Sequence, residues 1–227
     1  TFGCSAISQN PNIQQYSAST LTPRQKFNLA LNYNKQGQHE KAIPLYKEII
    51  QINPQNIDES ITGDLFPIKI DAYNNLGSSY NELNRPQEAI PYIKEAIRLN
   101  PNYAISSYNL GLSYHLLSRF QEAITSYKKS IQINPEDGSV HNRLGMSYSK
   151  VGQYQEAIAS HKEAIRLNPN DSMAHHNLGN MYFETGRTQK AISKWKEALR
   201  INPNLTVSRL NLNQIEGKTS KPIEAKE

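Results

Sequence analysis

The sequence predicts an all-α fold, a solenoid made by stacking antiparallel helix pairs, and three observations carry that prediction. Gly77, Gly111, Gly145 and Gly179 recur every 34 residues. Asn-Pro pairs keep the same step, at Pro101, Pro135, Pro169 and Pro203. Leu76, Tyr80 and Ala89 recur in phase, through Leu110, Tyr114 and Ala123, Leu144, Tyr148 and Ala157, and Leu178, Tyr182 and Ala191. One period shared by small, apolar and breaker positions marks a stacked array of a single supersecondary unit.

Spacing within a unit defines its two helices. Leu76, Gly77 and Tyr80 fall on one helix face, and Ala89, Ile93, Ala96 and Ile97 on a second. Asn84, Arg85 and Pro86 separate them. Asn100-Pro101 ends the second helix, because a residue before proline avoids helical backbone angles. Gly77 is expected to face Ala89 and Ala96, small residues that let two helix axes approach.

These residues resemble the tetratricopeptide repeat, whose pattern is W-x2-L-G-x2-Y, then A-x3-F, then P. The match runs through Tyr73, Leu76-Gly77, Tyr80, Ala89, Ile93 and Pro101. It returns as Leu110-Gly111, Tyr114, Ala123, Tyr127 and Pro135, then as His141, Leu144-Gly145, Tyr148, Ala157, His161 and Pro169. The last full copy is His175, Leu178-Gly179, Tyr182, Ala191, Trp195 and Pro203. The resemblance implies a right-handed superhelical solenoid of five units, near 23–56, 70–103, 104–137, 138–171 and 172–205, plus a C-terminal capping helix.

Taken in order, residues 1–20 are rich in Ser, Gln and Asn and read as a flexible arm. The first unit carries Leu29-Ala30, Tyr33, Gly37, Ala42, Tyr46 and Pro54, with Ala30 in the glycine position. Pro44 and Pro91 lie inside second helices and should bend them near their first turns. From Pro54 to Pro101 is 47 residues, 13 more than the period, which places an insertion at 57–69. Ile57, Ile61 and Leu65 give it a short helical stripe, broken by Gly63, Phe66 and Pro67, and it is expected to pack on the array. The alternative is contact with a partner. After Pro203, residues 206–216 should cap the array, with Val207, Leu210, Leu212 and Ile215 covering it and Arg209, Asn211, Asn213 and Glu216 in water. Gly217 should end this helix, leaving 217–227 as a polar tail.

Composition narrows the function. Hydrophobic residues make up 37% of the 227, which suits units that bury only the faces between neighbours. The net charge of +5 is spread through the helices and reads as solvated helix faces, so nucleic acid is not an expected partner. Cys4 is the single cysteine, so no intramolecular disulfide is expected. No apolar run approaches the length of a membrane span. Gly3-Cys4 resembles the end of a bacterial lipoprotein signal, although Thr1 and Phe2 fit that pattern poorly. A cytoplasmic protein is expected; membrane association through a lipidated Cys4 or a membrane-protein complex is the alternative.

Catalytic and metal motifs are not found. Gly217-Lys218-Thr219 lacks the earlier glycine and the strand of a phosphate loop. Asn170-Asp171-Ser172 and Asn204-Leu205-Thr206 match a glycosylation acceptor, as expected by accident in so Asn-rich a chain. His141, His161 and His175 occupy slots where the family packs bulky aromatics. The adjacent His175 and His176 point to different helix faces. No cofactor is expected, and no nucleophile with a base is recognisable.

The resemblance implies instead that first helices line a concave face that binds a protein or peptide segment. On this chain the partner-binding positions are Asn75, Tyr108, Asn109, Leu112, Leu116, Asn142, Arg143, Met146, His176, Asn177, Asn180 and Phe183. Leu112, Leu116, Met146, Met173 and Phe183 form the expected apolar part. Asn109 and Arg143 match the carboxylate clamp of chaperone-tail binders, but Asn74, Ser78 and Ser139 depart from it. Asn75, Asn109 and Asn177 match the asparagine ladder of the O-linked N-acetylglucosamine transferase array, with Arg143 departing. Such amides can pair with a ligand's backbone, and Asn109 and Arg143 are read as surface groups. The expected function is a non-enzymatic scaffold, adaptor or assembly factor. The alternatives are the binding arm of a larger enzyme and a lipid-anchored envelope or thylakoid assembly factor.

Overall fold

A computed structural model describes residues 21–53 and 59–219; the N-terminal arm, Cys4, Pro54 and residues 220–227 lie outside the described residues. Among them are eleven helices and no strand. They fall into two compact units that divide after Pro101.

The first unit holds α1 (Pro23–Lys35), α2 (His39–Gln51), α3 (Glu59–Glu82) and α4 (Pro86–Leu99). Thr22 caps α1 by accepting from the Gln25 amide while the Gln25 side chain accepts from the Thr22 amide. Pro44 and Pro91 sit inside α2 and α4, and both helices continue through them. The insertion is not a separate element in its described part: it lengthens α3 at its start into one helix of 24 residues that runs through Gly63, Phe66 and Pro67. Leu65 and Ile68 are buried, and the Lys69 ammonium donates to the Ile52 carbonyl at the end of α2. That apolar burial holds the helix together across its breakers.

The second unit repeats the pair three times: α5 (Ala104–Leu116) with α6 (Phe120–Ile133), α7 (Gly138–Lys150) with α8 (Tyr154–Leu167), and α9 (Ser172–Glu184) with α10 (Thr188–Ile201). Each helix packs on its partner, and each second helix on the next first helix, ending with α10 on α11 (Thr206–Thr219). Between paired helices every turn passes through the left-handed region at the same repeat position, at Gly152 and Gly186 here and at Ser118 without a glycine.

Gly77 approaches the Ala89 backbone as expected, with a Cβ there 3.2 Å from its carbonyl oxygen, but the nearest neighbour of each repeated glycine is a larger side chain. A Cβ on Gly179 would stand 2.5 Å from the Trp195 ring nitrogen, and one on Gly145 2.7 Å from the His161 ring. The Tyr127 ring is 2.6 Å from the corresponding point at Gly111, and in the first unit Ile93 stands 2.3 Å from that at Gly77. The glycine makes room for the large residue one turn after the alanine, and the buried alanines sit beside it. In α11 the covering face also differs. Ser208 and Leu212 are buried, Val207 and Leu210 are exposed, and Asn211 is half-buried. Leu205, Ser208, Leu212 and Ile215 follow the helical step that Val207 and Leu210 break. The helix also passes through Gly217 to Thr219.

Candidate functional site

All twelve candidate residues lie on first helices, Asn75 on α3 in the first unit and the others on α5, α7 and α9 in the second. The second unit brings α5 against α7 and α7 against α9. Phe183, at 44% exposure, and Leu116, at 40%, stand out on this face with Ile105 and Met173. Tyr108, Leu112, Arg143, Met146, Asn177 and Asn180 are half-buried. Asn109, Asn142 and His176 are buried, so the reading of Asn109 as a surface group is corrected: only part of the expected set can meet a partner directly.

Of the buried members, Asn142 and His176 are spent on a seam of hydrogen bonds within and between repeats. Asn142 Oδ1 accepts from Asn177 Nδ2 at 3.1 Å and stands 2.8 Å from His161 Nδ1. Asn180 Oδ1 accepts from Asn211 Nδ2 at 2.9 Å and from Trp195 Nε1 at 3.0 Å. Asn180 Nδ2 donates to His176 Nε2, so His176 carries its proton on Nδ1 and donates to Ser208 Oγ at 2.8 Å. His115 meets Ser147 Oγ at 2.9 Å. Burial holds the His161, His176 and His115 rings below their ordinary pKa, His161 down to about 4, and Arg143 and Lys150 add to the effect at His115. At neutral pH these rings are uncharged packing groups and hydrogen-bond donors. In the first unit Asn75 is half-buried and accepts from the Asn74 amide.

Beside the seam, α7, α9 and α11 border an open cavity of about 560 Å³. Phe183 and Trp195, with ring centroids 5.8 Å apart, form its apolar wall. Lys150, Glu184, Asn180 and Asn211 supply its polar groups. Trp195 and Asn211 were absent from the sequence-derived set. Asn211 could have been found, because it stands 34 residues after Asn177 in the same ladder. Trp195 could not, since it reaches the cavity only through its packing against Gly179. Among the described residues no group of three or more His, Cys, Asp or Glu side chains could hold a metal ion, and no helix is long and apolar enough to cross a membrane.

Comparison with known proteins agrees with the architecture. Models of the tetratricopeptide repeat match residues 23–56, 70–103 and 104–137, then 126–159 and 172–205, and a TPR repeat model matches 147–186. No curated protein matches. The chain resembles a crystal structure of MamA at 23% identity, covering 77% of this chain and 94% of that one with a TM-score of 0.64. It resembles a thermophilic TPR protein of Thermus thermophilus at 20% identity, covering 85% and 98% with a TM-score of 0.63. MamA 41-end from Desulfovibrio magneticus RS-1 superposes with a TM-score of 0.65 at 17% identity, covering 81% and 96%. At these identities the likeness shows the fold.

Proposed function

Since this chain belongs to the tetratricopeptide repeat family, we propose that it is a non-enzymatic interaction scaffold that docks a segment of a protein partner on the first-helix face of residues 104–219. The family supports protein partners in general. The observation that carries the finer reading is the cavity beside Phe183, a large ring left 44% exposed over Trp195 and flanked by Lys150 and Glu184. An apolar anchor with a few convergent polar groups is the usual form of a recognition site. On this reading Phe183, Met146, Leu112, Leu116 and Tyr108 take apolar side chains, Asn177 and Asn180 present amides, and Arg143 receives a carbonyl or carboxylate. Asn109, Asn142 and His176 support that face from below.

Peptides selected by panning a random displayed library on the purified chain provide the test. Phe183→Asp should weaken the selected peptides by about tenfold or more, as loss of a central aromatic anchor does. Its melting temperature should stay close to wild type, because the ring is already exposed. Lys128→Ala, on a second helix, should leave binding unchanged. Peptides that bind the Phe183→Asp protein normally refute the site.

A further inference from the structure

The second helix of the last full repeat carries cations at three positions, Arg187, Lys190 and Lys194, where α2 has Gln38, Lys41 and Leu45 and α8 has Gln153, Glu156 and Ser160. In α4 and α6 an arginine before the helix is bridged to a glutamate three residues on, Arg85 to Glu88 and Arg119 to Glu122, both at 2.6 Å. At the same positions α10 has Arg187 and Lys190, and its first turn holds no acid. Arg187 and Lys190 both lie over the Tyr182 ring, 5.9 and 5.8 Å from its centroid. Lys194 continues the row one turn later. Tyr182, Lys190 and Lys194, with Gln189 and Ser193, border a shallow depression of about 290 Å³. Among the described residues, none of these three cations forms a salt bridge.

The Tyr182 ring offsets part of the cost of gathering these charges, but the row works against the helix that carries it. Like charges one turn apart on a helix repel, and cations at a helix start oppose its dipole. The repeat as a whole, residues 172–205, carries five Lys or Arg against two Glu. We propose that the Arg187–Lys190–Lys194 row over Tyr182 is a second docking surface, on the second helix of the last full repeat, for an acidic segment of a protein partner. From Arg187 to Lys194 the helix rises about 10 Å at roughly 1.5 Å per residue. An extended segment sets the side chains of alternate residues about 6.6–6.8 Å apart, so two or three carboxylates span the row. The chain's own ends do not match it by charge: residues 1–20 carry no charged side chain, and residues 220–227 carry two Lys and two Glu. Three cations in one row are fewer than the clusters of four to eight that read as anionic-lipid sites, and far from the wide basic stripe of a nucleic-acid footprint.

The test uses the full chain and a fluorescein-labelled peptide with Asp at alternate positions, against an identical peptide with Asn in their place. The Asp peptide should bind, weaken as salt rises, and bind at least about fivefold more tightly than the Asn control. Lys190→Glu recreates the Arg–Glu pair at the start of α4 and α6, so it should fold normally and lose about tenfold or more in affinity. Lys194→Gln should lose less, in the same direction. Equal binding of the two peptides, or of the Asp peptide to wild type and Lys190→Glu, overturns the proposal. So does preferential, Lys190-dependent binding of phosphatidylserine vesicles or of a single-stranded oligonucleotide over the Asp peptide.

Discussion

Acid should loosen the second unit through His161. This ring is 1% exposed, packed under Gly145, and bonded to Asn142. Burial lowers its pKa from 6.5 to about 4. Between these values the unfolded chain binds a proton that the folded chain refuses, so acidification favours unfolding. The contribution is complete above pH 6.5, falls as the pH drops through the window, and is lost below about 4. The full window is worth about 3 kcal/mol, of which about 2 kcal/mol is lost by pH 5. Urea unfolding at pH 7.5 and pH 5 measures it, with His161→Tyr as reference, since Tyr46 and Tyr127 fill the same repeat slot. His115 and His176 titrate in the same direction but are present in both proteins, so the difference in pH response isolates His161. Wild type should lose about 2 kcal/mol more than the variant on acidification. Equal losses would refute the reasoning.

Five further substitutions test the packing. Ser118→Gly should stabilise by about 0.5–1 kcal/mol, because Ser118 holds a left-handed φ of 57° and the relief exceeds glycine's added unfolded entropy; thermal melting reads it. Tyr127→Phe should be neutral or stabilising by up to about 1 kcal/mol, because its buried hydroxyl has no partner among the described residues, whereas Trp195→Phe should cost about 1–3 kcal/mol by removing a donor to Asn180 and leaving space under Gly179. Leu212→Ala should cost about 2–4 kcal/mol and Leu210→Ala less than about 0.5 kcal/mol, since only the first is buried; equal urea midpoints would contradict the observed face of α11.

The helix pairs were legible because breakers and small residues act locally: Asn-Pro ends a helix wherever it stands. The α3 extension was not, because Gly63 and Pro67 look like breakers, and the burial of Leu65 and Ile68 that overrides them is tertiary. The face of α11 was misread because Val207 and Leu210 are apolar, while its fully buried contact is Ser208, a small residue that periodicity counting ignores. At the candidate site the first-helix position was legible, but exposure was not. Asn109 occupies a ladder position and Asn142 the position before Arg143, both of which look solvent-facing, yet both are buried, and Asn142 is consumed by His161 and Asn177. Asparagine has the same letter whether it waits for a ligand or holds a neighbour.

The seam of amides and imidazoles has a mechanical consequence. Apolar faces of stacked helices tolerate small slides, because dispersion contacts are many and weakly directional. A hydrogen bond is not so forgiving: it weakens steeply with angle and distance. Asn142–Asn177, Asn180–Asn211 and His176–Ser208 therefore act as detents, each fixing one first helix along its axis against the next. A ligand group that claims the Asn177 amide must first take it from Asn142. Occupying the face at that point would free one repeat to slip against its neighbour.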